Sequence, residues 1–454
     1  MRWRELFQEG RGQLTAGILL VEFMVAIEAL VVTAIMPAIK KDLGGLEFYG
    51  LVFTGFSLAG LVASPIAGRA ADRRGPGRPF LLFTGLFIAG TLLSGLATSM
   101  PMLAVMRVLQ GFGAGGAYTV SLVAVARSYP ESGRARVLAL LAGAWIVPGL
   151  LGPSYGALVA STIGWRWAFF SIVPLTLVAA ALALPALRRL PHAETSGLHL
   201  PLRWPIQLGA GIAAVVVALS LISWATVPLV IIGLIAALPA LRRILPEGSF
   251  RARRGMPVAV ISIFLLITAF IAGDYFIPLL LTAVRHRSLA EAGVVITLGT
   301  VSWSLGSWWQ SRVVIRVPRP RLVMLGAAMV GIALTAMLAT IVGAPLVFPY
   351  VAWLIAGIGM GIAYPTLYMV VMESASQGRE GQAVGAAEVG ERLGLALGGG
   401  LGGASIAIAA AAHAPLSVGL TGALALALVA ALGSVALAPR LTPERVLDVR
   451  FPLA

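Results

Sequence analysis

LLVEFMVAIEALVV, residues 19–32, sets two glutamates, Glu22 and Glu28, in an otherwise apolar run. The apolar stretch extends from about residue 14 to residue 38, more than the ~20 residues a helix needs to cross ~30 Å of hydrocarbon. A carboxylate at that depth costs free energy, so such acids are kept for a partner or a task. The fold turns on whether the rest of the chain is also built for a bilayer. The meaning of the acids turns on what stands opposite them.

The chain has 454 residues, of which 59% are hydrophobic and 11% charged. That is too apolar for a soluble globular protein of this length. Further spans fall near 48–70, 79–98, 101–127, 136–160, 167–187, 206–223, 226–241, 257–283, 289–311, 322–342, 345–371, 383–411 and 415–437, fourteen with the first. The 226–241 span is the shortest. The first span is read as a membrane helix and not a secretory signal peptide: it is long, lacks a small-residue cleavage site and leads into another span. There is no cysteine, so disulfide and thiolate chemistry are excluded. His192, His199, His286 and His413 are scattered in or beside loops, so no metal site is expected. No Gly-Lys-Ser/Thr phosphate loop is present, which argues against drive by ATP. Nor do convergent polar residues of a membrane enzyme assemble, and no cofactor beyond a proton gradient is expected.

The formal net charge is +15. With the amino terminus inside, 26 of the 33 basic residues fall in cytoplasmic segments and five in outer ones; Arg107 and Arg392 lie within spans. This asymmetry predicts that both termini are cytoplasmic. It reads the charge as a topology signal facing anionic lipid, with no nucleic-acid partner. Arginine outnumbers lysine 31 to 2, which with abundant alanine and glycine points to a GC-rich prokaryotic gene and an inner (plasma) membrane.

An internal repeat points to two bundles. GFGAGGAY at 111–118 matches GIGMGIAY at 357–364, and GPSYG at 152–156 matches GGGLG at 398–402, both at an offset of 246. RPFLLFTG at 78–85 resembles RPRLVMLG at 319–326, and IMP at 35–37 faces FIP at 276–278, both at 241. Spans 1–6 thus correspond to spans 9–14, and spans 7 and 8 lie between the repeats. The expected domains are residues 1–190, an amino-terminal six-helix bundle; 191–255, a linker with two extra transmembrane helices; and 256–454, a carboxy-terminal six-helix bundle with a short tail.

The turn after span 2 reads GRAADRRGPGRP, residues 68–79. It resembles the G-x-x-x-D-R-x-G signature of the major facilitator superfamily at Gly68, Asp72, Arg73 and Gly75, with Arg78 as the trailing charge; Pro76 and Gly77 depart from it. Span 4 carries LAVMRVLQGFGAG, similar to the family's L-x-x-x-R-x-x-Q-G-x-G pattern, with Arg107 and Gln110. Span 5 carries GAWIVPGLLGPSYG, similar to the glycine–proline motif of proton-coupled exporters, with Gly149, Gly152, Pro153 and Gly156. Span 1 ends EALVVTAIMP, similar to the D-x-T-x-x-N-x-x-x-P element of the fourteen-helix drug:proton antiporter branch. Glu28 holds its acid position and Pro37 its proline, but its asparagine is absent. The resemblance implies a major facilitator fold, an all-α polytopic protein of two six-helix bundles plus two linker helices. It also implies export coupled to protons.

The candidate residues follow. Asp72 and Arg73 at a tight Gly-rich turn, with Glu131 and Arg134 of the next inner turn as partners, form a conformational lock; the alternative is that the arginines only enforce topology. The glycines of span 5, with Gly398, Gly399, Gly402 and Gly403 opposite them in the repeat, pack helices closely and as a matched pair suggest the surface on which two bundles rock. Arg107 lies ~9 Å from the outer end of span 4 and Glu28 ~13 Å from that of span 1, at ~1.5 Å per residue. They are paired here. The arginine favours the ionised acid and burial the neutral one, so separating them would hand Glu28 a proton and link protonation to bundle position; the alternative is a static ion pair. Glu22, on another face, is a second proton site, a substrate acceptor or a satisfied polar contact.

Asp274, set opposite Thr33 by the 241 offset, is a proton or substrate site or an interfacial residue. Glu388 and Arg392, four apart, can pair within their helix, which leaves Glu391 alone; the three form either a gate or part of a wet vestibule. Gln110, Tyr118, Trp145, Tyr275, Tyr364 and Tyr368 are the candidate substrate-cavity residues. The expected activity is proton-coupled antiport of lipophilic or amphipathic small molecules by alternating access, by a monomer whose partners are substrate, protons and lipid. A lipid or glycolipid exporter of the same fold and a non-transporting receptor or scaffold are the alternatives.

Overall fold

The computed structural model describes residues 11–129, 143–190, 201–375 and 380–442, with Val137, Leu140 and Leu141 between the first two segments. Fourteen helices of interest run through them: α1 (Arg11–Leu43), α2 (Tyr49–Arg74), α3 (Gly77–Gly95), α4 (Met100–Ser128), α5 (Ile146–Thr162), α6 (Ile172–Arg188, preceded by the short helix Arg166–Phe170), α7 (Arg203–Ser220) and α8 (Thr226–Ile244). They continue as α9 (Met256–Leu279), α10 (Leu289–Val313), α11 (Arg319–Ile341), α12 (Val347–Glu373), α13 (Glu380–Ala411) and α14 (Leu416–Leu437). Among the described residues, thirteen spans are long and apolar enough to cross a membrane. The exception is α5, whose unbroken part has 17 residues.

The fifth span was expected to be continuous over 136–160, yet the chain turns at Ala144–Trp145 and a new helix starts at Ile146. Pro148 lies in the first turn of α5 and has no N–H to give the carbonyl of Ala144, so the helix-continuing bond at that point is missing. The shortest apolar run, near 226–241, forms a complete helix in α8. At the end of α9 the helix widens into a π turn over Leu280–Val284, directly after Pro278.

Two compact units form. In the first, made of the described residues up to Gly44 and Gly55–Pro205, α1 packs on α5, α6 and α4, and α3 packs on α4. In the second, made of Gly45–Thr54 and the described residues from Ile206 on, α9 packs on α13, α14 and α12, and α11 packs on α12. The second unit takes in α7 and α8. The same pattern recurs in each because the same glycine positions do the packing. Gly115 of α4 sits on Gly60 of α2, and Gly361 of α12 on Gly306 of α10; a side chain at either would strike backbone. Small residues at such crossings let helix backbones approach where hydrocarbon solvent offers no hydrophobic drive. Outward faces carry large apolar side chains such as Leu150, Leu158, Val178, Ile232 and Ile235, as a lipid-facing surface requires.

Candidate functional site

α1 and α4 of the first unit bring Glu28 and Arg107 together, with 0% and 2% of their side chains exposed. Nη1 of Arg107 donates to Oε1 of Glu28 and, at 2.7 Å, to Oε1 of Gln110. Gln110 Nε2 donates to the Thr91 hydroxyl at 2.9 Å, which donates to the carbonyl of Phe87 at 2.7 Å. The guanidinium also lies 4.2 Å from the centre of the Phe56 ring, within cation–π range. Oε2 of Glu28 is buried without a hydrogen-bond partner. Arg107 thus has partners beyond Glu28, and Glu28 has an open oxygen. Gln110, expected to line a substrate cavity, is fully buried instead; its amide is used up inside this network.

Glu22, one turn and a half earlier on α1, accepts from the indole N–H of Trp145 at 2.6 Å. Trp145 sits where the chain breaks before Pro148, half-exposed. Tyr118 lies half-buried on α4.

The second unit contains a related pair. Asp274 on α9 is buried, and Oδ1 accepts from the indole N–H of Trp353 on α12 at 2.9 Å. Trp353 is the repeat mate of Arg107 at 246, the offset that Gly115 on Gly60 and Gly361 on Gly306 both obey. Between α1 and α9 the offset is 241: Gly156 meets Ile35, and its mate Gly402 meets Phe276. Asp274 therefore corresponds to Thr33, as the repeat implies, and lies more than a turn further along its helix than Glu28 does on α1. Tryptophan stands where arginine does.

Glu391 on α13 is also differently placed. Its Oε2 accepts from Tyr364 at 2.6 Å and from Tyr368 at 2.7 Å, both on α12. The expected pairing of Glu388 with Arg392 is absent among the described residues' ion pairs; adjacent turns of one helix bring them within reach but do not compel contact. Tyr364 packs edge-on against Trp303 at 5.5 Å, Trp303 against Phe270 at 5.3 Å, and Phe270 stacks on Trp353 at 5.0 Å. A run of rings therefore joins Glu391 to Asp274. Tyr275 stacks on Phe53 at 3.8 Å, beside Gly399.

At the signature turn, Gly75 has φ +71°, a left-handed conformation that glycine adopts without a Cβ clash. Asp72 is held by Arg127 at the end of α4, at 2.6 Å. Arg73 and Arg78 are exposed, and Gly68 is half-buried. Glu131 and Arg134 lie outside the described residues. Arg127 entered the sequence reading only as a topology charge. Its repeat mate at 246 is Glu373, which pairs with Arg319 at 2.7 Å, so the repeat held a signal for it. Gly152 and Gly156 face Ile27, Leu30, Val31 and Ile35 of α1, and Gly149 and Pro153 are buried on the same helix. Their contacts close α5 onto α1.

The profile of the Major Facilitator Superfamily matches residues 18–399. The chain belongs to that superfamily. Membership places it among multi-span membrane transporters. Multidrug transporter protein MdtP of Bacillus subtilis (strain 168) is 25% identical over 82% of this chain and 70% of its own length. Multidrug export protein EmrB of Haemophilus influenzae (strain ATCC 51907 / DSM 11121 / KW20 / Rd) is 32% identical, over 42% of this chain and 37% of its own. The chain thus spans well under half of EmrB. Among solved structures, a D-xylose-proton symporter superposes with a TM-score of 0.66 at 16% identity, covering 94% of this chain and 97% of that one, so the major facilitator fold is shared.

Proposed function

We propose that this protein is a secondary transporter that exports lipophilic or amphipathic small molecules across the inner (plasma) membrane in exchange for protons. The buried Glu28–Arg107 pair carries the reading. A buried ion pair is a poor source of stability, because desolvation offsets most of its attraction. Its retention in a helix core is better explained by exchange. While α1 and α4 hold together, Glu28 is ionised against Arg107. When they part, Arg107 keeps Gln110 and Phe56 while Glu28 takes a proton on its open oxygen. Protonation and conformation are then linked in both directions. The descriptions of MdtP and EmrB support a multidrug substrate range.

The test is transport by purified protein in liposomes. With an acidic lumen, the lipophilic cation tetraphenylphosphonium and a neutral lipophilic dye are offered outside. Accumulation that collapses when nigericin dissipates the pH gradient is expected for at least one. A receptor or scaffold would accumulate neither.

The Asp72–Arg127 pair supplies the lock in this reading. Its side chains are 26% and 18% exposed, so Asp72→Asn should cost no more than ~1 kcal/mol of stability. It should nonetheless slow transport, and the charge swap Asp72→Arg with Arg127→Asp should restore part of the rate. Equal rates for Asp72→Asn and the parent would remove the lock.

A further inference from the structure

The two buried acids differ in one respect. In the first unit the buried acid faces a guanidinium, which stays positively charged in proteins. In the second, the same position holds an indole, a single neutral donor. Asp274 is 6% exposed and receives 2.9 Å from Trp353 Nε1. Around Trp353 the packing is tight: Gly273 and Gly299 face its ring, and a side chain at either would overlap it. The indole is therefore held in place by shape, with its N–H aimed at the acid.

No cation reaches the site from the helices around it, among the described residues. On α13, Glu388, Glu391 and Arg392 lie level with the earlier part of α9, since Gly390 meets Val260 and Gly394 meets Ile267. Opposite Phe276, next to Asp274, α13 presents Gly402. α14 has no ionisable residue, and α11 carries Arg319 and Arg321 only in its first turn. On α10, Glu291 is bound to Arg287. On α12, Tyr350 lies near the first turn, and Tyr364 and Tyr368 belong to Glu391.

We infer that Asp274 is a second proton-binding site, in the carboxy-terminal half, in which a hydrogen-bonding indole takes the place of the fixed positive charge. The inference rests on the proton-exchange reading and extends it to two protons per cycle, one in each half. The sites work differently. Glu28 exchanges a proton against an internal cation. Asp274 has no such cation, so its proton leaves only when water or a cationic substrate reaches the carboxylate.

The experiment needs no substrate. Infrared difference spectra of the full chain in lipid, recorded across a pH titration, report neutral carboxyl groups through their C=O stretch. The parent protein should show such a band that vanishes on alkalinisation, and Asp274→Asn should delete one component. Glu28→Gln should leave that component in place. Trp353→Phe keeps a ring but removes the N–H, so the same component should move to higher frequency. If Asp274→Asn does not fold, Asp274→Glu must shift the component instead. An Asp274→Asn spectrum equal to that of the parent, or an unshifted band in Asp274→Glu, overturns the second site. Either result leaves the role of Glu28 standing, because that role is read from gradient-driven transport.

Discussion

Glu28→Gln is expected to abolish accumulation driven by a pH gradient, by a hundredfold or more, while the protein stays folded and still exchanges substrate for substrate. A hundredfold corresponds to about 2.7 kcal/mol, at ~1.36 kcal/mol per tenfold. Glutamine matches glutamate in shape and keeps an oxygen for Arg107 Nη1, but it neither ionises nor binds a proton. It fixes the site in the state the cycle reaches when Glu28 is protonated. Arg107 then retains the Gln110 oxygen at 2.7 Å and the Phe56 ring at 4.2 Å, so the cation is not stranded. Linkage requires that the driving ligand bind the two conformers differently. A side chain that cannot take H⁺ removes that difference, but leaves the passage of substrate between conformers. Gradient-driven uptake at the parent rate in Glu28→Gln would end the coupling role; loss of exchange as well would show that the substitution had damaged the fold.

The membrane fold was legible because apolar length is a one-dimensional property. Fourteen expected spans became fourteen helices, including the short run that forms α8. The break at Ala144–Trp145 was not legible: Pro148 stands just after it, but helices such as α2 and α12 run on through Pro65 and Pro365, so a proline in an apolar run does not by itself mark an end. Glu28 and Arg107 could be matched because depth along a helix follows from sequence at a fixed rise. Partners that depend on rotation about the helix and on tertiary register could not be read the same way. Glu391 was left alone on its helix, while two phenols reach it from α12. Asp72 was assigned to the next turn, while Arg127 reaches it from α4. The indole that faces Asp274 was not read either, although Trp353 is the repeat mate of Arg107 at 246.

Arg107→Met should be the most destabilising single change at the site, at about 3–5 kcal/mol, because removing one partner of a buried ion pair leaves the other charge uncompensated. Methionine fills much of the volume next to Phe56, so the loss reports charge more than a cavity. Glu28 would keep no cation in reach, and its Oε2 already lacks a partner. The double variant Glu28→Gln with Arg107→Met should recover most of the loss. The amide of residue 28 then donates to Gln110, whose Oε1 has lost its arginine donor, and no charge is left buried. Replacing both members of a buried pair by neutral groups is often neutral or stabilising, whereas breaking one is not. Melting midpoints of the two single variants, the double and the parent, under one detergent condition, close a double-mutant cycle. A coupling of several kcal/mol is expected for side chains in direct contact. Arg107→Met melting with the parent would mean that Glu28 and Arg107 do not bear on each other, and both the ion pair and the exchange built on it would fall.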